Sequence, residues 1–423
     1  MISAVSHAGR ALRHRNFRLY VTGQSLSLIG TWMTKLATTW LVYRLTGSPL
    51  LVGIVAFAGL FPTFILAPFA GVWMDRVDRR SLLVWTQIAA AVQSFLMAAL
   101  TLAGLVTVPQ ILILAVAQGV INAFDMPARQ AFLIQMVDDR HDLSNAIAIN
   151  SSMVNAARLI GPSLAGVLIG VIGEGGCFLV DGVSYVAVIV SLLLMRVAPR
   201  ETASTTVRMV EQLREGWQYV TTFRPVRSIL LLAGMVSFVG NPYTVLLPVV
   251  AREVFGGGGP TLGLLTGAAG FGALVSALSL AARRTVVGLT HNLQAGAMLL
   301  GVGLVLAGAS RWLWLSLALM AVVGFGLMQA LASSNTIIQT LVPEDKRGRV
   351  MSYYAMALFG AAPIGSLLIG ALADALGAPL TFVVVGVLCL AGAAWFTWEL
   401  PKVRAVMRPI YQEMGLLPVR DAG

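Results

Sequence analysis

The stretch GVWMDRVDRR, residues 71–80, places five charged residues between two long apolar runs. The run before it is LLVGIVAFAGLFPTFILAPFA, and the run after it is SLLVWTQIAAAVQSFLMAALTLAG. Each run is long enough to cross a bilayer as a helix, which takes about 20 apolar residues. A short charged connection between two such runs is typical of a loop at a membrane surface.

The composition of the whole chain indicates that lipid is its solvent. Of its 423 residues, 57% are hydrophobic and 11% are charged, whereas a soluble domain has roughly 45–50% and about 25%. Continuous apolarity predicts helices, because barrel strands give only short alternating segments. We therefore predict an all-α membrane protein with twelve spans, near residues 17–43, 50–72, 81–104, 109–130, 143–171, 177–196, 227–250, 261–282, 292–310, 312–334, 350–373 and 379–399.

The basic residues divide very unevenly between the two sides of this topology. The two termini and the even-numbered connections hold 24 of the 29 basic residues, and the odd-numbered connections hold only Arg44, Arg252 and Arg311. Positive charge accumulates on the cytoplasmic side of membrane proteins. The sequence thus predicts a multi-pass protein of the inner (cytoplasmic) membrane with both termini cytoplasmic, and the net charge of +11 does not indicate a nucleic-acid partner.

The spans divide into two halves of six. We predict an N-terminal bundle over 1–196, a cytoplasmic linker over 197–226 and a C-terminal bundle with its tail over 227–423. The stretch GSPLLVGIVAFAG at 47–59 is echoed by GGPTLGLLTGAAG at 258–270, and both open an even-numbered span. The linker contains VRMVEQLREGWQYV, whose apolar residues recur at helical spacing. It is read as an amphipathic helix on the membrane face or as a solvated linker.

The opening stretch resembles the loop signature of the major facilitator superfamily, G-x-x-x-D-R-x-G-R-R/K, at the position between spans 2 and 3. Asp78 replaces the usual glycine of that signature. The matching residues are Gly71, Asp75, Arg76, Arg79 and Arg80.

The resemblance implies that this loop is a conformational latch between the two halves. In the superfamily its aspartate meets the eleventh helix, and its second arginine pairs with an aspartate on the fourth helix. Asp125, near the cytoplasmic end of span 4, fits that partner. The alternative is that the arginines serve topology alone, which would need neither Gly71 nor Asp75.

A second signature lies in span 5, in the sequence NAARLIGPSLAGVLIG. Gly161, Pro162 and Gly166 resemble the G-P-x-x-x-G core found on the fifth helix of exporters of the superfamily. The wider stretch from Asp125 to Gly166 resembles the drug- and siderophore-exporter branch that includes macrolide and enterobactin exporters. The resemblance implies export by antiport.

Polar faces lie on spans 1, 4, 7 and 10, which line the central cavity in the superfamily. Ionisable and polar groups within a span are functional candidates, and the alternative for any one of them is hydrogen bonding between helices. Together with Arg158 on span 5, the candidate cavity residues are Gln24, Thr31, Lys35, Gln118, Asn122, Asn241, Gln329 and Ser333.

Two cations and two carboxylates within the spans are candidates for mechanism. Lys35 and Arg158 could contact an anionic group of a substrate or a titrating carboxylate, although Lys35 could instead snorkel and Arg158 could form a structural ion pair. Asp125 and Asp181 are the candidates for proton coupling, and Asp125 could belong to the latch alone.

The function predicted from these features is secondary transport. The chain lacks the G-x-x-x-x-G-K-[ST] phosphate loop, and its cysteines, Cys177 and Cys389, form no metal-ligand pattern, so we expect no enzyme, metal or cofactor. We predict a proton-coupled exporter of a small amphipathic compound such as a drug or siderophore, with a small-molecule substrate, protons and lipid as partners, acting as a monomer. An importer of the same fold and a non-transporting scaffold or sensor are the alternatives.

Overall fold

The computed structural model describes residues 10–74, 77–137, 139–196, 209–283 and 285–417, and this part of the chain contains helices and no strand. The helices are α1 (Arg15–Thr46), α2 (Pro49–Met74), α3 (Arg79–Leu102), α4 (Val108–Leu133), α5 (Leu143–Leu194), α6 (Met209–Thr222), α7 (Arg224–Met235), α8 (Gly259–Ala281), α9 (Leu289–Ala309), α10 (Leu313–Leu341), α11 (Glu344–Leu376) and α12 (Ala378–Glu413).

The predicted spans are present as long apolar helices. Within the described residues, ten helices are long and apolar enough to cross a membrane. One of them, α5, has 52 residues, which suffices for two crossings at ~1.5 Å per residue, and α1 adds a further helix of 32 residues. Large apolar side chains such as Phe69 and Val171 remain exposed at 65% and 75%, as expected for surfaces that face lipid. The twelve-helix membrane fold is thereby confirmed.

Spans 5 and 6 are the two arms of α5, joined at Gly173. This glycine has φ 69° and ψ 178°, a backbone conformation that residues with a Cβ rarely adopt. The chain therefore reverses between the arms at a single residue. The first arm carries Arg158 and Pro162, and the second carries Asp181.

The departure from the loop signature at position 78 has a structural role. Asp78 is the N-cap of α3, and its Oδ2 accepts hydrogen bonds from the Ser81 amide at 2.8 Å and the Ser81 hydroxyl at 2.7 Å. Partial burial favours the neutral acid, but the Ser81 hydroxyl and the amide N–H groups outweigh it and lower the pKa of Asp78. An aspartate is a preferred N-cap residue, so the replacement of glycine still starts the next span.

Two compact units contain the described residues. One lies within Met1–Thr205 and Ala251–Gly267, and the other lies within Thr206–Val250 and Ala268–Gly423. The first unit packs α1 along α5, α3 against α4 and α5, and α2 against α4. In the second unit α9 packs against α10 and α12. The assignment of Ala251–Gly267 to the first unit is not anticipated by the predicted boundaries, which remain a prediction.

The repeat seen in the sequence recurs as a repeated helix contact. In the first unit a Cβ added at Gly119 of α4 would lie 2.6 Å from the Gly59 carbonyl oxygen of α2. In the second unit Gly324 of α10 makes the corresponding close approach to the Ala269 carbonyl of α8. Gly59 and Ala269 belong to the two sequence stretches that echo each other. Small residues thus allow close approach of α2 to α4 and of α8 to α10, at positions that are not aligned in the repeat.

Span 7 departs from a regular helix where its polar residues begin. After α7, the chain forms a π-helical turn over Val236–Gly240 and a 3₁₀ turn over Asn241–Val245. Pro242 lies in the 3₁₀ turn and Pro248 lies in the short helical turn Leu247–Val249 that follows. Proline cannot donate the backbone hydrogen bond that continues an α-helix. Asn241 is therefore held at a break in the span rather than on a continuous helical face.

The linker helix α6 packs on the start of α11. Glu215 forms an ion pair with Arg349 of α11, and the Trp217 and Tyr353 rings lie 5.8 Å apart between centroids. Trp217 remains 58% exposed, whereas Val220 is buried. The described part of the helix therefore contacts protein through Glu215 and Trp217, and its placement on a membrane face remains a prediction. Val210 and Leu213 have no described side chains.

Candidate functional site

Asp125 lies at the centre of a buried hydrogen-bond cluster between α3 and α4. Its side chain is 3% exposed, and its Oδ1 accepts from the Thr86 hydroxyl at 2.9 Å and from Gln87 Nε2 at 2.7 Å. Its Oδ2 pairs with Arg129, one turn further along α4. The carboxylate is thus bound to a counter-ion and to two donors from the neighbouring helix.

The arginines of the loop signature contact two different helices. Arg79 donates to the Ala131 carbonyl of α4 at 3.5 Å. Arg80 donates to the Leu192 and Leu193 carbonyls at the end of α5, at 2.8 Å each. A cation at carbonyls of a helix C-terminus is favourable for both hydrogen bonding and the helix dipole. Arg80 therefore fixes the start of α3 to the end of span 6.

These contacts do not test the latch assignment. Asp75 and Arg76 lie outside the described residues, and Gly71 lies in the last turn of α2. Arg79 and Asp125 are both anchored on α4, through Ala131 and Arg129 respectively. Their pairing with each other, and the latch as a whole, remain predictions.

Asp181 is another buried carboxyl group, and it joins α5 to α1 and α3. Its Oδ2 accepts from the Ser94 hydroxyl at 2.7 Å and from the Thr34 hydroxyl at 2.9 Å. Its Oδ1 is buried without a hydrogen-bond partner among the described residues. A Cβ at Gly30 would lie 2.5 Å from this oxygen, so the glycine makes room for the carboxyl. Within the described part of the chain, no ion pair reaches it.

Lys35 and Arg158 meet at one aromatic ring. The Lys35 ammonium lies 5.0 Å from the centroid of Trp32, and the Arg158 guanidinium carbon lies 5.1 Å from it. Both distances fall within the range of cation–π attraction. Lys35 is exposed, and Arg158 and Trp32 are half-buried. The two predicted cations are therefore brought together, although they lie on different helices.

The exporter signature on α5 provides close contacts on two sides. A Cβ at Gly161 would lie 2.5 Å from the Trp32 Cβ and 2.8 Å from the Ile29 carbonyl oxygen of α1. A Cβ at Gly166 would lie 2.7 Å from the Cα of Gly263, which belongs to the same unit. Close backbone approach of this kind requires small residues. Both glycines of the signature thus act in helix packing, and Gly161 seats the ring that the two cations share.

The remaining predicted cavity residues differ in their surroundings. Thr31 contacts the Tyr185 hydroxyl at 3.2 Å, and Gln329 accepts from Ser276 at 2.8 Å, so these two take part in contacts between helices. Gln118 and Asn122 are hydrogen-bonded to each other along α4 at 3.1 Å. The others are Gln24 and Ser333, which are buried, and Asn241, which is half-buried. Their role as cavity lining stays a prediction.

Several bonded partners were not singled out from the sequence. Thr86 and Gln87 on α3 donate to Asp125. Ser94 on α3 and Thr34 on α1 donate to Asp181. Their polar character within apolar spans was the available signal. Polar character alone does not indicate which helix each residue faces, because that depends on how the helices are rotated against one another.

Comparison with known proteins agrees with the architecture. The model of the family described as transmembrane secretion effector, a branch of the major facilitator superfamily, matches residues 7–414. The chain is 25% identical to the Staphyloferrin A transporter of Staphylococcus aureus, over 90% of this chain and 95% of that protein. It is 28% identical to the multidrug efflux pump Tap of Mycolicibacterium fortuitum, over 89% and 93%, and 20% identical to macrolide efflux protein A of Streptococcus pyogenes, over 87% and 92%.

Solved structures share the fold at lower sequence identity. A POT family transporter in complex with 5-aminolevulinic acid superposes with a TM-score of 0.72 at 13% identity, over 92% of this chain and 96% of that one. A bacterial homologue of the iron transporter ferroportin gives 0.65 at 19% identity, over 90% and 98%. These similarities concern the path of the chain and not its substrate.

Proposed function

We propose that this chain, which belongs to the transmembrane secretion effector family of the major facilitator superfamily, is a proton-coupled exporter of small amphipathic compounds such as drugs or siderophores. Support for the direction and for the substrate class comes from relatives named as efflux pumps and as a siderophore transporter. Transport proceeds by alternating access, in which two halves pivot about a central site and expose it to each side in turn.

The observation that carries proton coupling is the setting of Asp181. This carboxyl is buried, receives hydroxyl donors from Ser94 and Thr34 and has no cation bound to it among the described residues. A guanidinium partner favours the ionised form of a carboxyl, so a carboxyl takes up a proton more readily where it is not committed to such a partner. Asp125 is so committed, through Arg129. We therefore assign proton carriage to Asp181 and a conformational role to Asp125.

The two signatures fit the same cycle. The exporter signature packs α5 tightly on α1 at Gly161 and on the start of α8 at Gly166, where a helix can tilt only if its neighbours move with it. The loop signature ties α3 to α4 and α5 through Arg79 and Arg80. Both would couple the position of span 5 to the state of the loop.

The proposed setting is the inner membrane, with both termini cytoplasmic and the protein acting as a monomer. The distribution of basic residues supports this orientation, since 24 of 29 lie at the termini and the even-numbered connections. The halves that move are proposed to be 1–196 and 227–423, with the linker over 197–226 between them.

The test is transport by the full-length protein reconstituted in liposomes, with a siderophore, a macrolide and a fluorescent dye as probes. An imposed proton gradient should move at least one probe toward the acidic compartment. Asp181→Asn should abolish gradient-driven accumulation while probe exchange without a gradient continues. Glu174→Gln is the matched control, because Glu174 is also a buried acid but pairs with Arg44.

Three results would contradict the proposal. Movement away from the acidic compartment would identify an importer of the same fold. Transport that ignores the gradient would remove proton coupling. No movement of any probe, by protein that is folded and inserted, would favour a non-transporting scaffold or sensor.

A further inference from the structure

The shared ring of Trp32 places two cations at one point within the membrane-spanning part of the first unit. Arg158 lies midway between Leu143 and Gly173 on the first arm of α5, and Lys35 lies on the facing helix α1. Because each charge lies about 5 Å from the same centroid, the two charges are no more than about 10 Å apart and repel each other. Such a concentration of like charge within a span is costly unless an anion relieves it.

The two predicted carboxylate partners are engaged elsewhere. Asp125 is bonded to Arg129, Thr86 and Gln87, and Asp181 accepts hydrogen bonds from hydroxyl groups. Among the residues that the structure describes, no ion pair reaches the Lys35 ammonium. Asp125 and Asp181 are therefore not bonded to Lys35, and the positive charge of Lys35 remains at the ring of Trp32.

Snorkelling does not account for the position of Lys35. The nearer end of α1 is Thr46, and a snorkelling lysine extends its ammonium toward the nearer membrane surface. The Lys35 ammonium instead contacts the ring of Trp32, which lies almost one turn further from that end. The side chain is exposed in this position, so its charge is accessible to a bound molecule.

Resting on the proposed export function, we propose that Lys35, Arg158 and Trp32 form a subsite for the anionic group of an amphipathic organic acid. The guanidinium offers paired donors that match a carboxylate, sulfonate or phosphate, and the ammonium adds a second charge. The indole supplies a flat apolar surface for the adjoining aromatic or apolar part of the molecule. Gly161 is required here because a side chain at that position would displace Trp32.

Binding of two related dyes by the full-length protein tests this subsite. Fluorescein and rhodamine 6G share a xanthene ring system and carry opposite net charge at pH 7.4. The protein is placed in nanodiscs of phosphatidylcholine, which has no net charge to compete, and binding is followed by fluorescence polarisation. Lys35→Gln and Arg158→Gln remove one cation each, and Lys35→Arg keeps the charge. Arg311→Gln, at an exposed residue outside the helices, is the control for net charge.

We expect each glutamine variant to bind fluorescein at least tenfold more weakly and to bind rhodamine 6G no less tightly than the unaltered protein. Lys35→Arg and Arg311→Gln should bind both dyes as the unaltered protein does. Equal losses for the two dyes, or unchanged fluorescein binding in both glutamine variants, would overturn the proposal. So would an unaltered protein that binds only rhodamine 6G or neither dye.

The binding assay separates this inference from the proposed function. No gradient is applied and both faces of the nanodisc are accessible, so an importer or a transporter without proton coupling would still give the expected pattern. Conversely, proton-driven export confined to cationic compounds would overturn the anion subsite and leave the proposed function standing.

Discussion

Replacing Asp125 with alanine should destabilise the first unit more than the loss of an ordinary ion pair. The substitution removes the acceptor of Thr86 and Gln87 and leaves the Arg129 guanidinium, 23% exposed, without its carboxylate. Removing one member of a buried pair costs roughly 3–5 kcal/mol, since the remaining charge stays desolvated. For a cooperative unit of about 200 residues, this lowers Tm by about 6–20 °C.

The chain supplies its own reporter and a matched control for this measurement. Cys177 and Cys389 are free and buried, so a maleimide that fluoresces on reacting with thiols follows unfolding in detergent. Glu215→Ala is the control, because Glu215 also pairs with an arginine but its side chain is 55% exposed. An exposed pair contributes about 0–1 kcal/mol, so this variant should lose less than about 4 °C.

A double variant keeps the prediction testable if Asp125→Ala folds poorly. Asp125→Ala combined with Arg129→Ala removes both charges, so part of the lost stability should return. The reasoning is refuted if Asp125→Ala loses no more than Glu215→Ala. It is also refuted if the double variant loses more stability than the losses of the two single variants added together.

Three further predictions concern the helix contacts. Asp78→Ala should lower stability by about 1 kcal/mol, through loss of the N-cap of α3, and a Ser81→Ala variant with the cap carboxylate intact should lose less in the same thiol-reaction assay. The pKa of Asp78 is lower in the folded chain than its ordinary value of 3.8. The stability contributed by this carboxylate is therefore complete above 3.8 and is lost as the pH falls through the folded pKa. The difference in stability between Asp78→Ala and the unaltered protein should thus vanish in acid. Gly161→Val should cost about 1–3 kcal/mol by overpacking against Trp32 and should weaken fluorescein binding; normal stability and binding would show that the α1–α5 contact is not close.

The sequence anticipated the membrane fold because hydropathy and charge act locally. Each apolar run must satisfy its backbone hydrogen bonds within itself in lipid, so length and composition suffice to identify a helix. Pro242 and Pro248 also indicate a break in span 7, because proline does not continue an α-helix. The hydropathy of residues 227–250 predicts only an unbroken span. Asp78 departs from the signature, and the structure shows that it caps α3.

The site was anticipated less completely, because partners on other helices are not encoded in spacing. The sequence marks Lys35 and Arg158 as candidates, but nothing in it indicates that they meet at Trp32. The sequence indicates Asp125 and Asp181 alike as proton-coupling candidates. Their surroundings differ, since one binds a guanidinium and the other only hydroxyl donors.

The amino-acid sequence by itself determined that this chain crosses a membrane many times, since burial of apolar runs in lipid depends on local composition alone. It also placed the loop and exporter signatures on the spans where the family has them. Only the tertiary structure decided which buried acid has a counter-ion and which cations share a ring. Those facts depend on the rotation and approach of separate helices, which are set by close glycine contacts such as Gly161 on Trp32.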